Sequence, residues 1–267
     1  TLSTEEKIFS MLATGQCKSE LLSDASNSEC WPQGECKIKT TAQAMLALKG
    51  TMSLNKTATW LAGKKLTPLG LNWLLQIDTT GVAQCSISSG TSTITVSIDE
   101  NKQLSSNNYG TCFELYTGNY WLKVKDVCFD KELSISCDND FKTNLLYQDA
   151  ASSTTYLLNE LNSAAAEGTT KETASSYCLK QGTSCDYEGT LWAALALENA
   201  GYNYKSYIPY LVAKQSLNEQ YLPESFLYAL LGGSYQDSLL AKQQQNKWWL
   251  ASSDKFYGTA LALYPFQ

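Results

Sequence analysis

Two residue types that most enzymes use for catalysis or anion binding are missing from this sequence. It contains no histidine, and all 20 of its basic residues are lysine, so arginine is absent too. Histidine is the commonest general acid or base near neutral pH, and arginine is the preferred bidentate partner of phosphate and carboxylate. The absences exclude most familiar catalytic mechanisms. Codon bias in an AT-rich genome would explain the missing arginine but would not forbid histidine.

Charge is scarce as well. Charged residues make up 17% of the chain, whereas about a quarter is usual in soluble proteins. The net charge is -6, and no basic stripe is visible, so nucleic acid is not expected as a partner. A surface of Ser, Thr, Asn, Gln and Tyr is typical of an extracellular protein.

Long hydrophobic runs are absent. No stretch reaches the roughly 18 consecutive apolar residues of a membrane span, so no membrane-spanning segment is expected. The N-terminal TLSTEEKIF lacks the basic and apolar regions of a signal peptide. We therefore expect a mature secreted protein, at the cell surface, whose leader has been removed.

Cysteine, in contrast, is plentiful. The nine cysteines form no CxxC pair, and no histidine completes a zinc site, so disulfides are favoured over a metal. Proximity in the sequence predicts four pairs, which are Cys30–Cys36, Cys178–Cys185, Cys85–Cys112 and Cys128–Cys137. Cys17 is left over, as a free thiol or as a bond to another chain.

The motifs of common enzymes are also missing, since the sequence has no GxSxG, P-loop, GxGxxG or HExxH. Asp138 and Asp140 in CDNDF are typical of a turn. Asp186 and Glu188 are read as a pair at a helix N-terminus, with the carboxylate dyad of a glycoside hydrolase as the alternative. We expect no catalytic residue, no cofactor and no metal.

Helical and strand patterns occur in separate blocks. Residues 3–14 open with a capping box, and 40–52 and 57–62 continue the helical pattern. From about 70 to 158, short β-branched and aromatic runs are bounded by turn residues, which predicts strands. Alternation predicts that the inward-facing residues are Trp73, Ile94, Val96, Trp121, Val124, Leu133 and Ile135.

Helical patterns return after SAAAEG, starting with TKETASSYC. The predicted fold class is therefore α+β. We expect a helical domain formed by 1–69 and 159–267, and a β-sandwich-like domain, 70–158, inserted into it.

An internal repeat links three of the helical segments. Cys36 is followed at matched spacing by a threonine and small or apolar residues, and Cys185 is followed by the same pattern. The matched positions are Thr41, Ala44 and Leu46 in the first copy and Thr190, Ala193 and Leu195 in the second. Trp248 and Trp249 begin a third copy, without cysteines, that leads to Gly258, Thr259 and Ala262. Such repeats usually form stacked helical arrays.

YEGTLWAALALENAG and YGTALALY resemble the repeat of the squalene cyclase and protein prenyltransferase superfamily, the α/α-toroid. The resemblance covers the helical two thirds of the chain. It implies a partial toroid of inner and outer helices, but no cyclase activity. Trp192, Trp248 and Trp249 are then expected in the core, with a sugar or lipid groove as the alternative.

The function expected from these features is that of a non-catalytic extracellular structural subunit. FYGTALALYPFQ is followed by no polar capping helix, so its apolar surface predicts assembly of copies into a filament or layer. Proteolytic trimming, or a segment that folds back on its own domain, is the alternative. An adhesin or a carbohydrate- or protein-binding module with an unknown ligand, or a hydrolase or lyase on the same scaffold, are the other functional candidates. Asn55 in NKT is a glycosylation sequon or a chance match.

Overall fold

The chain forms two compact units that differ in secondary structure. The computed structural model describes residues 2–158 and 161–266. The first unit contains the residues up to Pro68 and those from Ser176 onward, and the second contains Leu69–Ser175. The α-helices of the described residues lie in the first unit and most of the strands lie in the second, so the fold class is α+β, as predicted.

All the described α-helices lie in the first unit. They are α1 (Thr4–Thr14), α2 (Lys18–Ser23), α3 (Ile38–Ala47), α4 (Asn55–Ala62), α5 (Tyr187–Asn199), α6 (Ile208–Ala213), α7 (Pro223–Leu231), α8 (Tyr235–Ala241) and α9 (Lys255–Leu263). A small antiparallel sheet in the same unit consists of β1 (Lys65–Leu66), β13 (Cys178–Gln181) and β14 (Ser184–Cys185). In the part of the chain that the structure describes, no helix is long and apolar enough to span a bilayer.

The first helix begins where its capping box predicts. The Ser3 hydroxyl accepts a hydrogen bond from the backbone N–H of Glu6, and the Glu6 carboxylate accepts one from the backbone N–H of Ser3 at 2.7 Å. Each bond satisfies a backbone donor that the helix itself leaves free. The bond from the Ser3 backbone lowers the pKa of Glu6.

The core of the first unit centres on α5, which contacts α3 and α7. Residues from Gly189 to Leu197 are all buried, so this helix is covered on every face. Trp192 packs edge-on against Phe226 of α7, with ring centroids 5.0 Å apart. The predicted burial of Trp192 and Trp249 is thus observed, whereas Trp248 is half-buried.

The strands of the second unit are β2 (Leu71–Thr79), β3 (Ala83–Ser89), β4 (Ser92–Ile98), β5 (Leu104–Ser105), β6 (Phe113–Leu115), β7 (Trp121–Val124), β8 (Glu132–Cys137), β9 (Phe141–Asp149), β10 (Tyr156–Leu157), β11 (Asn162–Ala164) and β12 (Thr170–Thr173). These described strands form two antiparallel sheets. One has the order β10-β9-β2-β7-β6, with β11 also paired to β9, and the other has the order β12-β8-β3-β4-β5.

Alternation identifies most of the inward-facing residues of these strands. Trp73, Ile94, Val96, Val124, Leu133 and Ile135 are all buried. The prediction is wrong for Trp121, which is half-buried and packs against Tyr116 with the two rings tilted and their centroids 6.0 Å apart. Its neighbour Leu122 is buried instead, because successive side chains of a strand point to opposite faces.

All eight cysteines expected in disulfides are paired, but two of the predicted pairs are wrong. Cys30–Cys36 and Cys178–Cys185 form as expected. The other two bonds are Cys85–Cys137 and Cys112–Cys128, rather than Cys85–Cys112 and Cys128–Cys137. Strand pairing explains the difference, because Cys85 of β3 lies directly opposite Cys137 of β8.

The predicted α/α-toroid is wrong. Residues 2–158 and 161–266 form a mixed fold with three sheets, and the helices among them do not form a toroid. TKETASSYC, expected to be helical, contains strand β12, which pairs with β8. The repeated small residues determine the local packing at the start of a helix. They do not determine how the helices are arranged around one another. The assignment of 1–69 and 159–267 to one helical domain, and of 70–158 to a domain inserted into it, stays a prediction.

A buried hydrogen bond links the two sheets of the second unit. Thr143 of β9 donates to the carboxylate of Glu172 in β12 at 2.7 Å, and the side-chain amide of Asn162 donates to the same oxygen at 3.0 Å. Both Thr143 and Glu172 are buried. A buried carboxylate that loses such a donor keeps its full desolvation cost.

We predict that Thr143→Val lowers the free energy of unfolding by about 1–3 kcal/mol, because Glu172 loses a donor. Urea unfolding measures the change. Lys171→Met on the same strand is the control, since it removes only an exposed ion pair with Glu132 and is expected to cost less than about 1 kcal/mol. Equal effects of the two substitutions would contradict a structural role for the buried bond.

Candidate functional site

The internal repeat exists as three loop–helix segments, which end in α3, α5 and α9. In each segment a threonine near the start of the helix accepts a hydrogen bond from a backbone N–H of the chain that precedes the helix. The donor and acceptor pairs are Trp31 and Thr41 at 2.9 Å, Leu179 and Thr190 at 3.0 Å, and Trp249 and Thr259 at 3.1 Å. The predicted equivalence of these three threonines is confirmed.

The first and third segments match over a longer stretch than the sequence revealed. The indole N–H of Trp31 donates to the carbonyl of Leu21, ten residues earlier, at 2.7 Å. Trp249 makes the same bond to Leu239, also ten residues earlier and at 2.7 Å. The equivalence therefore extends back to α2 and α8. The helices that precede them, α1 and α7, start at nearly the same distance before these tryptophans in the sequence, so they are equivalent as well. No shared motif marks these outer helices, which is why the sequence did not show it.

One face of α9 is apolar and exposed, although its counterparts in the other two segments are buried. Phe256 is 84% exposed, whereas the equivalent Ile38 of α3 is 0% and Tyr187 of α5 is 6% exposed. The same face continues through Ala260 and Leu263, both exposed. Residues at this spacing lie on one side of a helix. We call this set, Phe256, Ala260 and Leu263, the α9 face.

A second exposed apolar face lies on α1. Phe9 and Leu12 are 40% and 45% exposed, whereas the equivalent residues of α7, Leu227 and Leu230, are buried. The difference follows from the neighbours, since α7 contacts α5, α8 and α9, whereas the main contacts of α1 are with α2 and α3. Phe9 and Leu12 form the α1 face. It corresponds to the side of α7 that the rest of the first unit covers.

Polar side chains occupy a third set of equivalent positions at the helix starts. Lys39 of α3 forms an ion pair with Glu188 of α5 at 2.7 Å. Tyr257 is the equivalent residue of α9, and burial raises its pKa, with a further contribution from the charge of Glu188. These three positions lie near one another, which the sequence did not indicate.

The carboxylates considered as catalytic candidates are engaged in local structure. Asp186 caps α5 by accepting a hydrogen bond from the backbone N–H of Gly189 at 2.9 Å, and Glu188 pairs with Lys39. Asp138 accepts from the backbone N–H of Gln84, and Asp140 from that of Ala166. The arrangement is that of a helix cap and of turns, rather than of two facing carboxylates.

Cys17 and Asn55 both lie in the first unit. Cys17 is half-buried, unpaired, and 3.6 Å from the hydroxyl of Ser10. Asn55 is the first residue of α4 and is exposed, and its side-chain oxygen accepts a hydrogen bond from the hydroxyl of Tyr202. The roles of Cys17 in linking chains and of Asn55 in glycosylation stay predictions.

The second unit carries a shallow depression of about 440 Å³ beside β4. Its lining is neutral and mostly hydroxyl- or amide-bearing, comprising Gln84, Thr93, Ile94, Thr95, Ser97, Ser105, Ser106, Asn107 and Asn108. Among residues 2–158 and 161–266, no group of three or more acidic or cysteine side chains is arranged to hold a metal ion.

We predict that Thr41→Val destabilises the protein more than Thr259→Val does. The bonds of Thr41 to Trp31 are buried, whereas the bond of Thr259 to the Trp249 N–H is only partly buried. The expected losses of unfolding free energy are about 1–3 kcal/mol and about 0.5–1.5 kcal/mol, respectively. Urea unfolding of the two variants provides the comparison, and the reverse order would contradict it.

Comparison of the chain with protein-family models, with curated proteins and with solved structures gives no match.

Proposed function

We propose that this protein is a non-catalytic extracellular structural subunit that assembles with copies of itself into a filament or layer. The observation that carries the proposal is the α9 face, which is exposed although the chain buries the equivalent residues of α3 and α5. Burial of one phenylalanine side chain contributes about 1.5–3 kcal/mol. An exposed row of apolar residues on a helix is typical of a protein interaction site.

The α1 face supplies a matching surface. Phe9 and Leu12 are apolar and exposed, as are Phe256 and Leu263 of the α9 face. We infer that the α9 face of one copy packs on the α1 face of another, which would remove both apolar surfaces from water. The two faces are different, so the contact is head-to-tail, and a head-to-tail contact that does not close into a ring produces an open polymer.

The amino-acid composition and the disulfides support an extracellular location and a non-catalytic role. Four disulfides are typical of proteins that fold in an oxidising compartment. A chain without histidine and arginine lacks the side chains on which most catalytic sites depend. We also infer that the two sheets of the second unit form a sandwich-like domain, which the buried bond between Thr143 and Glu172 supports.

We predict that the purified chain self-associates in the presence of reductant and that Phe256→Glu weakens this association by at least about tenfold. Sedimentation velocity over a range of concentrations measures it. Leu217→Glu is the matched control, because Leu217 is also exposed in the first unit but lies outside both faces. A wild-type chain that stays monomeric would contradict the proposed function, and so would a Phe256→Glu variant that assembles normally.

A mixing experiment tests the head-to-tail geometry. Phe9→Glu blocks the α1 face and Phe256→Glu blocks the α9 face, so each variant alone should be monomeric. An equal mixture retains one intact α9 face and one intact α1 face, and it should form dimers that grow no further. If the mixture stays monomeric while the wild type assembles, the contact between the α9 and α1 faces is wrong. Electron microscopy of the wild type then distinguishes filaments from layers.

A further inference from the structure

A groove in the first unit lies between α4 and the segment that follows α5, and it measures about 510 Å³. Ligand pockets commonly have volumes of about 300–1,000 Å³. None of the residues that line it belongs to α1 or α9. The lining consists of Asn55, Ala58, Thr59, Ala62, Lys65, Leu197, Tyr202, Asn203 and Tyr207.

One wall of the groove is a smooth face of α4. Asn55, Ala58, Thr59 and Ala62 follow one another at helical spacing, so they share one side of this helix. The alanines are small, which leaves room beside the helix. The side chains therefore form a shallow wall with an amide at one end and a hydroxyl in the middle.

The opposite wall is aromatic. Tyr202 is half-buried and donates its hydroxyl hydrogen bond across the groove to the side-chain oxygen of Asn55. Tyr207 lies beneath and is almost fully buried, and its burial, together with the proximity of Tyr177, raises its pKa to about 12. Tyr207 is therefore a neutral phenol at physiological pH. A half-buried tyrosine ring with nearby amides suits the apolar faces and hydroxyl groups of sugars.

Among the described residues that line the groove, Lys65 carries a positive charge. The ammonium of Lys65 is 4.9 Å from the centroid of the Tyr177 ring and 5.8 Å from that of Tyr207, which positions it by cation–π contacts. Among the ion pairs of the described residues, none includes Lys65. Its charge is thus held in place without a carboxylate partner.

We propose that this groove binds an acidic saccharide, with Lys65 pairing with a sugar carboxylate, Tyr202 stacking on a sugar ring, and Asn55 and Asn203 bonding to hydroxyl groups. A single lysine matches one carboxylate. Phosphate-rich ligands would call for several cations or for arginine, which the chain lacks. The site does not depend on self-assembly.

The test uses protein from a host without N-glycosylation, so that Asn55 keeps its free amide. Isothermal titration calorimetry is performed with oligomers of galacturonate, mannuronate and glucuronate, and with the methyl ester of each. At least one acid oligomer should bind with a dissociation constant below about 1 mM, and its neutral methyl ester should bind at least about tenfold more weakly. If none of the acids binds in this range, or if ester and acid bind equally, the proposal is wrong.

Variants identify the site. Lys65→Met should weaken binding of the acid at least about tenfold, and Tyr202→Ala should weaken binding of both acid and ester. Lys64→Met is the matched control, since Lys64 is the adjacent lysine, also lies over an aromatic ring, that of Trp60, and is not part of the groove lining. Equal effects of the two lysine substitutions would overturn the assignment to this groove. Circular dichroism confirms that each variant is folded.

Discussion

The packing of α3 against α5 is the contact on which the first unit depends. Polar side chains connect the two helices at both ends. Lys39 forms an ion pair with Glu188 near the helix starts, and Lys49 donates a hydrogen bond to the side-chain oxygen of Asn199 at 2.6 Å near the helix ends. The two helices therefore run in the same direction. Parallel neighbours require a connection that returns the chain to its starting end, and here α4, β1, the whole second unit, β13 and β14 lie between them in the sequence.

A row of equivalent, parallel helices has a physical consequence at its ends. Each helix in the row contacts one neighbour with one side and the other neighbour with a different side. Repetition of this contact does not by itself close the row into a ring. The central helix, α5, is buried on every face, whereas α9 keeps one apolar side in solvent. The exposed α9 and α1 faces follow from the repeat rather than from an isolated surface substitution, which favours another repeat helix as their partner.

The sequence predicted the features that depend on local spacing. The capping box at Ser3, the alternation in β3 and β4, and the matched threonines are all short-range patterns, and the structure contains them. The pairing of Cys85 with Cys137 depends on strand register, which proximity in the sequence does not report. The relation of α1 to α7 was also hidden, because the equivalent core residues Ile8 and Phe226 differ in size and share only their burial. The toroid prediction failed for a related reason, since it extended a local similarity between short segments to the arrangement of all the helices.

The lining of the groove could not be predicted from the sequence either. Its lining comes from α4, from β1 and from the turn after α5, which are separated in the sequence by the entire second unit. Asn55 was notable in the sequence only as a sequon, and Lys65 had no distinguishing pattern. Lys65 is distinguished by its surroundings in the structure. Acidic residues outnumber lysines by 26 to 20 in this chain, so carboxylates that could pair with a lysine are abundant. A lysine that is held over two tyrosine rings, rather than neutralised by one of those abundant carboxylates, keeps its charge available to a ligand that enters the groove.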